Sequence, residues 1–505
     1  MQEIVRKVLT ARVYDVATQT PLDAMPRLSE RLGRPVRLKR EDLQPVFSFK
    51  LRGAYNKVAA MGDDARRAGV ICASAGNHAQ GVAVAAARHG VEATVVVPVT
   101  TPDIKVRAIR RLGAKVVTHG EGYDEAYEHA RAIESETGAT FVHPFDDPDV
   151  IAGQGTIGME VLHQHPEPLE ALFLPVGGGG LAAGVATIVR YLRPEVRLIG
   201  VEPDDAASLL AAFRHGGPVT LPEVGLFADG VAVRRVGDFT YRLCREALDE
   251  VITVDTDAIC AAIKDVYENC RAIAEPAGAV ALAGLKQYAA RVGPGAGGLA
   301  AVLSGANLNF DRLRHVAERA ELGEGLEALL AVGMPERPGS YRRFIQTLNG
   351  RMITAFSYRY ADPEQAQIFV GVALREGVGE KHELIARVRA GGFEVVDLSD
   401  DETAKTHTRY LVGGRARAIV HEHIFRFEFP ERPGALLRFL ESLQPDWNIT
   451  LFHYRYHGAD YGRVLAGIEA PPEQGAELRR ALDALAYPYQ EVTDDVSVRL
   501  FLREG

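Results

Sequence analysis

Very little in this chain is available for cross-linking. Its 505 residues include four cysteines, Cys72, Cys244, Cys260 and Cys270, with no CxxC spacing. Four thiols in so long a chain exclude a disulfide framework and read as buried free thiols in a reducing compartment. Basic clusters are lacking too, and the formal net charge is −9. Displacing counterions from a polyanion needs concentrated Lys and Arg, so no nucleic acid is expected as a partner. Long hydrophobic runs are missing. The most apolar stretch, Val82 to Val99, is broken by Arg88, His89 and Glu92, and the opening MQEIVRKVLTARVYD has no apolar core of signal-peptide length. Neither a membrane span nor a leader is expected, and the reading is a cytoplasmic protein.

What is present is the mix of an ordinary globular protein, 47% hydrophobic and 25% charged, long enough for about three or four domains. From about Val70 to Asn307, short β-branched runs alternate with Ala-rich stretches of helical period. The runs are GVICAS, ATVVVPV, AKVVTHG, TFVHPF, ALFLPV, RLIGVE, EVITVD and LAAVLSG. Such alternation predicts parallel sheets covered by helices on both faces, here as two α/β lobes around a cleft. Ligands in open α/β sheets bind beyond the carboxyl ends of the strands.

After Phe310 the pattern changes. The charged stretch Asp311 to Leu330 reads as a helical connector. Beyond it, PERPG occurs at Pro335–Gly339 and again at Pro430–Gly434, and ITAFSYRY at Ile353–Tyr360 is echoed by ITLFHYRY at Ile449–Tyr456. Two tokens repeating in one order at nearly one spacing indicate a doubled module. Each copy reads as strand, Pro-Gly turn, helix and alternating strand, a small α+β unit.

Four segments carry candidate chemistry. Lys50, in Ser48-Phe49-Lys50-Leu51-Arg52-Gly53-Ala54, opens an apparent helix among apolar neighbours. An ammonium gains nothing from the dipole there, and a depressed pKa suits a Schiff-base lysine. Ser74-Ala75-Gly76-Asn77-His78 follows the run ending at Ala73. Small residues at a strand-to-helix turn leave N–H groups for a carboxylate or phosphate, although a simple helix cap explains one such turn equally well. Gly177-Gly178-Gly179-Gly180-Leu181 lets backbone wrap an anion closely. Gly178, Gly180 and Ala183 also fit GxGxxA with Glu202 ending the next run, so a dinucleotide site stays open as the rival. Ser304, in Ser304-Gly305-Ala306-Asn307, sits at a strand's carboxyl end, facing the cleft or capping a helix.

Together SFKLRGA, SAGNHAQG, GGGGLAAG and SGAN, with HPFDDP, AGQGT and AEPAGA as further landmarks, resemble the β-family of pyridoxal-phosphate enzymes over essentially the whole chain. The doubled tail points within it to the biosynthetic threonine dehydratases. The resemblance implies a tryptophan synthase β-like catalytic domain over residues 1–320, with a small lobe at about 52–148. It implies a connecting helix at 321–330 and two ACT-like modules at 331–412 and 424–505.

It also implies pyridoxal 5′-phosphate held by Lys50 as a Schiff base, with Asn77 on its 3′-oxygen. Gly177, Gly178, Gly179, Gly180 and Leu181 would hold its phosphate and Ser304 would partner its ring nitrogen. Ser74, Ala75, Gly76, Asn77 and His78 would hold the substrate carboxylate. The expected reaction turns threonine into 2-oxobutanoate and ammonia, with isoleucine inhibiting, valine opposing and four chains assembling. Effector positions implied are Gly339, Tyr341, Arg351, Gly434, Leu436 and Ile449. A neutral Ser304 beside the ring nitrogen favours β-elimination over transamination.

Serine dehydration or racemisation is the nearest competitor within the family. An NAD-linked oxidoreductase built on Gly178–Ala183 and Glu202, and an amino-acid sensor without activity, are the rivals outside it. No metal site is expected: His421 and His423 share one strand face without a Cys or carboxylate partner in the pattern, and nothing in the sequence supports a cation at Glu202.

Overall fold

The eight β-branched runs between Val70 and Asn307 all become strands. The computed structural model describes residues 1–505 except 166, 311, 338, 361–363, 376, 412–418, 420, 431–433, 445–446, 456–460, 496–497, 499–501 and 503–505. The chain divides into two compact units, Met1–Ala320 and Glu321–Gly505.

In the first unit the strands in chain order are β1 (Leu22–Ala24), β2 (Val36–Arg40), β3 (Val70–Ala73), β4 (Ala93–Val97) and β5 (Lys115–Thr118). They are followed by β6 (Thr140–Phe141), β7 (Leu169–Pro175), β8 (Arg197–Pro203), β9 (Glu250–Val254) and β10 (Gly298–Leu303). They form a six-stranded sheet in the order β1-β2-β10-β7-β8-β9 and a four-stranded sheet in the order β5-β4-β3-β6. All pairings are parallel except that of β1 with β2. The smaller sheet is therefore an insertion between β2 and β7. Ala171, Leu172, Phe173 and Leu174 are all fully buried, as they must be in a strand covered on both faces.

β1 and β2 carry no apolar signature. Lys39, Arg40, Glu41 and Asp42 are buried charges that neutralise one another and their neighbours. The Arg52 guanidinium, fully buried, donates to Glu41 Oε2 and Oε1 at 2.8 Å each and to Glu160 Oε1 and Oε2 at 2.6 and 3.0 Å. Lys39 Nζ completes the group on Glu160. Burial works against Arg52's charge, but Glu41 and Glu160 hold its proton more tightly than usual. The network joins β2, the turn after it, the helix Lys50–Ala60 and the helix Pro148–Gln164.

In the second unit the strands are β11 (Glu327–Pro335), β12 (Ile353–Arg359), β13 (Gln365–Ala373), β14 (Glu394–Asp397), β15 (Glu422–Pro430), β16 (Asn448–Arg455), β17 (Tyr461–Glu469) and β18 (Tyr489–Glu491). With helices Ser340–Thr347, Val378–Ala390, Ala435–Ser442 and Gly475–Leu485, each half runs β-α-β-β-α-β. The halves share one antiparallel sheet in the order β14-β11-β13-β12-β16-β17-β15-β18. At the seam Ser357 lies opposite His453, and these two are the fifth residues of ITAFSYRY and ITLFHYRY. A pseudo-twofold axis thus runs through that pair. Part of each PERPG copy (Pro338; Glu431–Pro433) and Tyr456 fall outside the described residues.

The expected connecting helix at 321–330 needs correcting. The helix runs Arg312–Gly323, and Glu327 already opens β11. Glu324 and Gly325 interrupt the helical run, and Ala328 to Leu330 are wholly buried strand positions rather than one face of a helix. Among the described residues, no helix is long and apolar enough to cross a membrane.

Arg52→Ala is expected to cost about 3–5 kcal/mol in urea unfolding of the full chain, because two buried carboxylates lose their shared cation. Lys7→Ala, which breaks the part-exposed Lys7–Asp149 pair, is expected to cost under about 1 kcal/mol.

Candidate active site

Two loop segments close on each other at Lys50. Ser48 bridges to Gly305, the Phe49 N–H donates to the Ser304 carbonyl at 3.2 Å, and the Ala306 N–H donates to the Phe47 carbonyl at 2.9 Å. Phe47 turns the chain with a φ of 55°, and Lys50 becomes the first residue of its helix. The Lys50 amine donates to the Pro144 carbonyl at 2.8 Å. The residue as a whole is partly exposed, yet its amine is enclosed, and burial pushes it down to about 8 against the opposing charge of Glu275.

Pro144 belongs to a segment that also walls the glycine loop. A Cβ at Gly178 would lie 2.2 Å from Phe145 Cγ and Cδ1, one at Gly180 would lie 2.9 Å from Phe145 Cα, and one at Gly177 would lie 2.9 Å from Val231 Cα. Gly179 has a φ of +89°. Each of the four positions is therefore closed to a side chain. The loop opens the helix Gly180–Leu192, whose first N–H groups, Gly180 and Leu181 among them, have no intrahelical acceptor. An anion is what such a turn receives. Asp146 caps the neighbouring helix Asp238–Ala247 by accepting from the Phe239 and Thr240 N–H groups at 3.0 and 2.9 Å.

Ser74 to Gly76 lead into the helix Asn77–His89 after β3, and the Gly76 N–H donates to Ser74 Oγ at 3.2 Å. Asn77 and His78 begin the helix, so their N–H groups face outward at a positive helix end. The His78 ring is committed elsewhere, with Nε2 at 2.8 Å from the Val142 carbonyl. Burial, reinforced by Lys50, pushes His78 down to about 3, which keeps it neutral. With Nε2–H on that carbonyl, the buried and unpartnered Nδ1 carries only a lone pair, so the backbone N–H is what His78 offers a substrate carboxylate. Ser304, 3% exposed, donates its hydroxyl to the Ala277 carbonyl at 3.3 Å, a long bond that another partner can replace.

The structure thus gathers Lys50, Asn77, the glycine loop and Ser304 around one cleft. It adds residues from the landmark segments HPFDDP and AEPAGA. Pro144 and Phe145 come from HPFDDP. Glu275 comes from AEPAGA, where a carboxylate directly before Pro276 at a helix start was the available signal. Glu202 is removed from the dinucleotide reading. It is fully buried and accepts the Leu209 and Leu210 N–H groups at 2.8 and 2.9 Å, capping a helix from inside the core.

In the second unit, Arg351, Gly434 and Leu436 come together on a groove between the two halves, with Leu437, Phe452 and Tyr454 beside them. Arg351 Nε is held by Glu380 Oε1 at 2.8 Å. Gly339, Tyr341 and Ile449 do not line this groove. Gly339 caps its helix at a φ of +86°, while Tyr341 and Ile449 are buried in the module core, Tyr341 packing edge-on against Phe356. His423 pairs with Glu491 at 2.8 Å, and among the described residues no group of three or more His, Cys, Asp or Glu could hold a metal.

A lysine pushed down to about 8 and joined through Pro144 and Phe145 to a side-chain-free anion turn suits a cofactor held at once by a Schiff base and by its phosphate. The fold and this site define a β-family pyridoxal-phosphate enzyme. Residues 13–305 match the family model for pyridoxal-phosphate dependent enzymes, and residues 318–408 and 413–502 match the C-terminal regulatory domain of threonine dehydratase. The chain is 56% identical over 503 residues to L-threonine dehydratase biosynthetic IlvA of Burkholderia multivorans, covering 99% of both chains. It is 54% identical to the Escherichia coli protein of that name, covering 99% of this chain and 97% of the other. The solved structure of processed threonine deaminase isoform 2 from Solanum lycopersicum is 47% identical and superposes with a TM-score of 0.62, covering 63% of this chain and 92% of that one. The chain belongs to the biosynthetic threonine dehydratase family.

Two measurements probe the cradle. Gly178→Ala is expected to weaken pyridoxal-phosphate binding at least roughly ten-fold in an absorbance titration of the apoprotein, since about 1.4 kcal/mol of strain suffices. Gly62→Ala, with open space around its Cβ, should change nothing. Uptake of the cofactor needs the neutral Lys50 amine. Its rate is expected to rise about ten-fold per pH unit below about 8 and to level off above.

Proposed function

We propose that the chain converts L-threonine to 2-oxobutanoate and ammonia, under feedback inhibition by isoleucine with valine opposing, as a cytoplasmic homotetramer. The observation that carries the reading is the joining, in one chain, of the Lys50 site to a doubled module with a cationic, apolar groove. Relatives named for biosynthetic threonine dehydration match that arrangement end to end.

The residues support the chemistry as follows. Bound pyridoxal phosphate supplies the electron sink for loss of the α-proton. Lys50 would hold the cofactor, and its amine, when free, would take that proton. Asn77 would donate to the 3′-oxygen, Gly177 to Leu181 would take the phosphate, and Ser304 would partner the ring nitrogen. The backbone of Ser74–His78 holds the substrate carboxylate at the helix end. The β-hydroxyl leaves with a proton as water, the enamine is released, and hydrolysis of its imine returns one water and frees ammonia. A neutral hydroxyl at position 304 would leave the ring nitrogen unprotonated and so would favour elimination.

Isoleucine resembles no part of this reaction, so it needs a site of its own and two states of the protein. An amino acid with an aliphatic side chain suits the groove, where Arg351 offers charge to a carboxylate and Leu436 and Leu437 offer apolar surface.

The initial rate of 2-oxo acid formation from threonine, titrated with isoleucine, tests both halves. Product that falls sigmoidally with isoleucine is expected, and no product from the pyridoxal-phosphate-loaded protein would refute the substrate. Ser304→Asp is expected to cut the rate by at least about a hundred-fold, the scale of losing a tuned catalytic group. Unchanged turnover would refute the role of the neutral hydroxyl. Arg351→Ala is expected to raise the half-inhibiting isoleucine concentration about ten-fold or more, the loss of one charge-assisted bond.

A further inference from the structure

Asn77 is gripped at both ends of its amide. Its Nδ2 donates to Glu275 Oε1 at 2.7 Å, and its Oδ1 accepts from Asn307 Nδ2, which also donates to the Val46 carbonyl at 2.9 Å. A half-turn of that amide would set its oxygen against a carboxylate oxygen and place two NH2 groups face to face. Those partners therefore permit one orientation, in which one Nδ2 hydrogen is bonded to Glu275 and the other remains for the cleft.

Glu275 is itself tightly built in. It is 5% exposed, its peptide N–H donates to the Gly305 carbonyl at 3.2 Å, and its carboxylate receives the Asn307 backbone N–H. A Cβ at Gly305 would strike Glu275 Oε1, so the glycine of SGAN is what admits the carboxylate. The charges acting on it are Lys50 within the cleft, Asp229 and Lys105. A carboxylate buried this deeply is costly unless it is hydrogen-bonded, and here its side-chain donor is Asn77. Burial pushes the Glu275 carboxyl up to about 7 while the Asn77 and Asn307 hydrogen bonds favour the ionised form, and in that form it polarises the amide and strengthens the bond the other N–H makes.

We infer that Glu275, assisted by Asn307, is a positioning residue that sets the Asn77 amide so that one N–H meets the 3′-oxygen of the bound cofactor. The inference rests on the reading of Asn77 proposed above. It gives AEPAGA and the last residue of SGAN a task in cofactor binding that neither carries by touching the cofactor.

The test is a double-mutant cycle on the full-length chain, read as the affinity of the apoprotein for pyridoxal 5′-phosphate and as the visible spectrum of the loaded protein. Asn77→Ala and Glu275→Ala are each expected to weaken binding about ten-fold, and the double variant to bind no more weakly than Asn77→Ala alone. Glu275→Ala should also shift the spectrum toward the form with a protonated ring oxygen, since the oxyanion loses an oriented donor. Glu275→Gln, whose Oε1 still accepts from Asn77, should restore most of both. If Asn77→Ala alters neither affinity nor spectrum, the underlying reading of Asn77 fails. If Asn77→Ala weakens binding but Glu275→Ala does not, or if the two losses add in full, that reading stands and the positioning role is overturned. Should Glu275→Ala yield no soluble protein, Asn307→Ala reaches the same amide from its oxygen side and is judged by the same cycle.

Discussion

The catalytic unit depends on four charges that it hides. Arg52 and Lys39 are wholly enclosed with Glu41 and Glu160. Each would be prohibitively expensive alone, and together they sum to zero. Their value lies in where they force backbone to go. Arg52 is two residues beyond Lys50, so the hydrogen bonds that satisfy its guanidinium also fix the first turn of the helix on which the reactive amine stands. Glu41 ties that turn to the strand beside β10, whose end carries Ser304, and Glu160 ties it to the helix that follows His143–Asp147. The geometry around Lys50 is thus inherited from a network with no part in the chemistry. A hydrophobic replacement of similar volume could hold the helix, but not its rotation about its own axis.

That network also explains what the sequence concealed. Of the eight strands from Val70 to Leu303, β3, β7, β8 and β10 were legible because burial on both faces leaves continuous apolar runs, and the more exposed β5 and β9 because their β-branched residues stand between helical stretches. β2 was not, since Val36-Arg37-Leu38-Lys39-Arg40 looks like a solvated segment until its partners, more than a hundred residues away, are known. The end of the connector was hidden for the opposite reason. Ala328 to Leu330 are apolar enough for either a helix or a strand, and only their pairing with β13 decides. The catalytic motifs were readable because each packs its chemistry into a few consecutive residues. Glu275 and Asn307 were not, because their function is a relation to Asn77 across about two hundred residues of chain. Tyr341 is placed differently from Arg351, Gly434 and Leu436. It follows a turn at the right place, yet its ring belongs to the core.

The two units solve different physical problems. The first needs a rigid turn free of side chains beside a base of tuned basicity, so it uses glycine, buried charge and a parallel sheet that sets loop ends side by side. The second presents a surface whose shape depends on two elements at once. A groove between repeated halves supplies that, since Arg351 is contributed by one half and Leu436 by the other. Any molecule seated there touches both.

The pairing of Ser357 with His453 carries a consequence for how such a doubled domain diversifies. Two identical copies meeting about that axis would make a dimer whose every feature appears twice, and one mutation would alter both halves together. Joining the copies in a single polypeptide breaks that bond. Tyr341 on one side now stands where Leu436 stands on the other, and Arg351 where the second half has Trp447. The scaffold remains symmetric while its two faces are at liberty to learn different ligands.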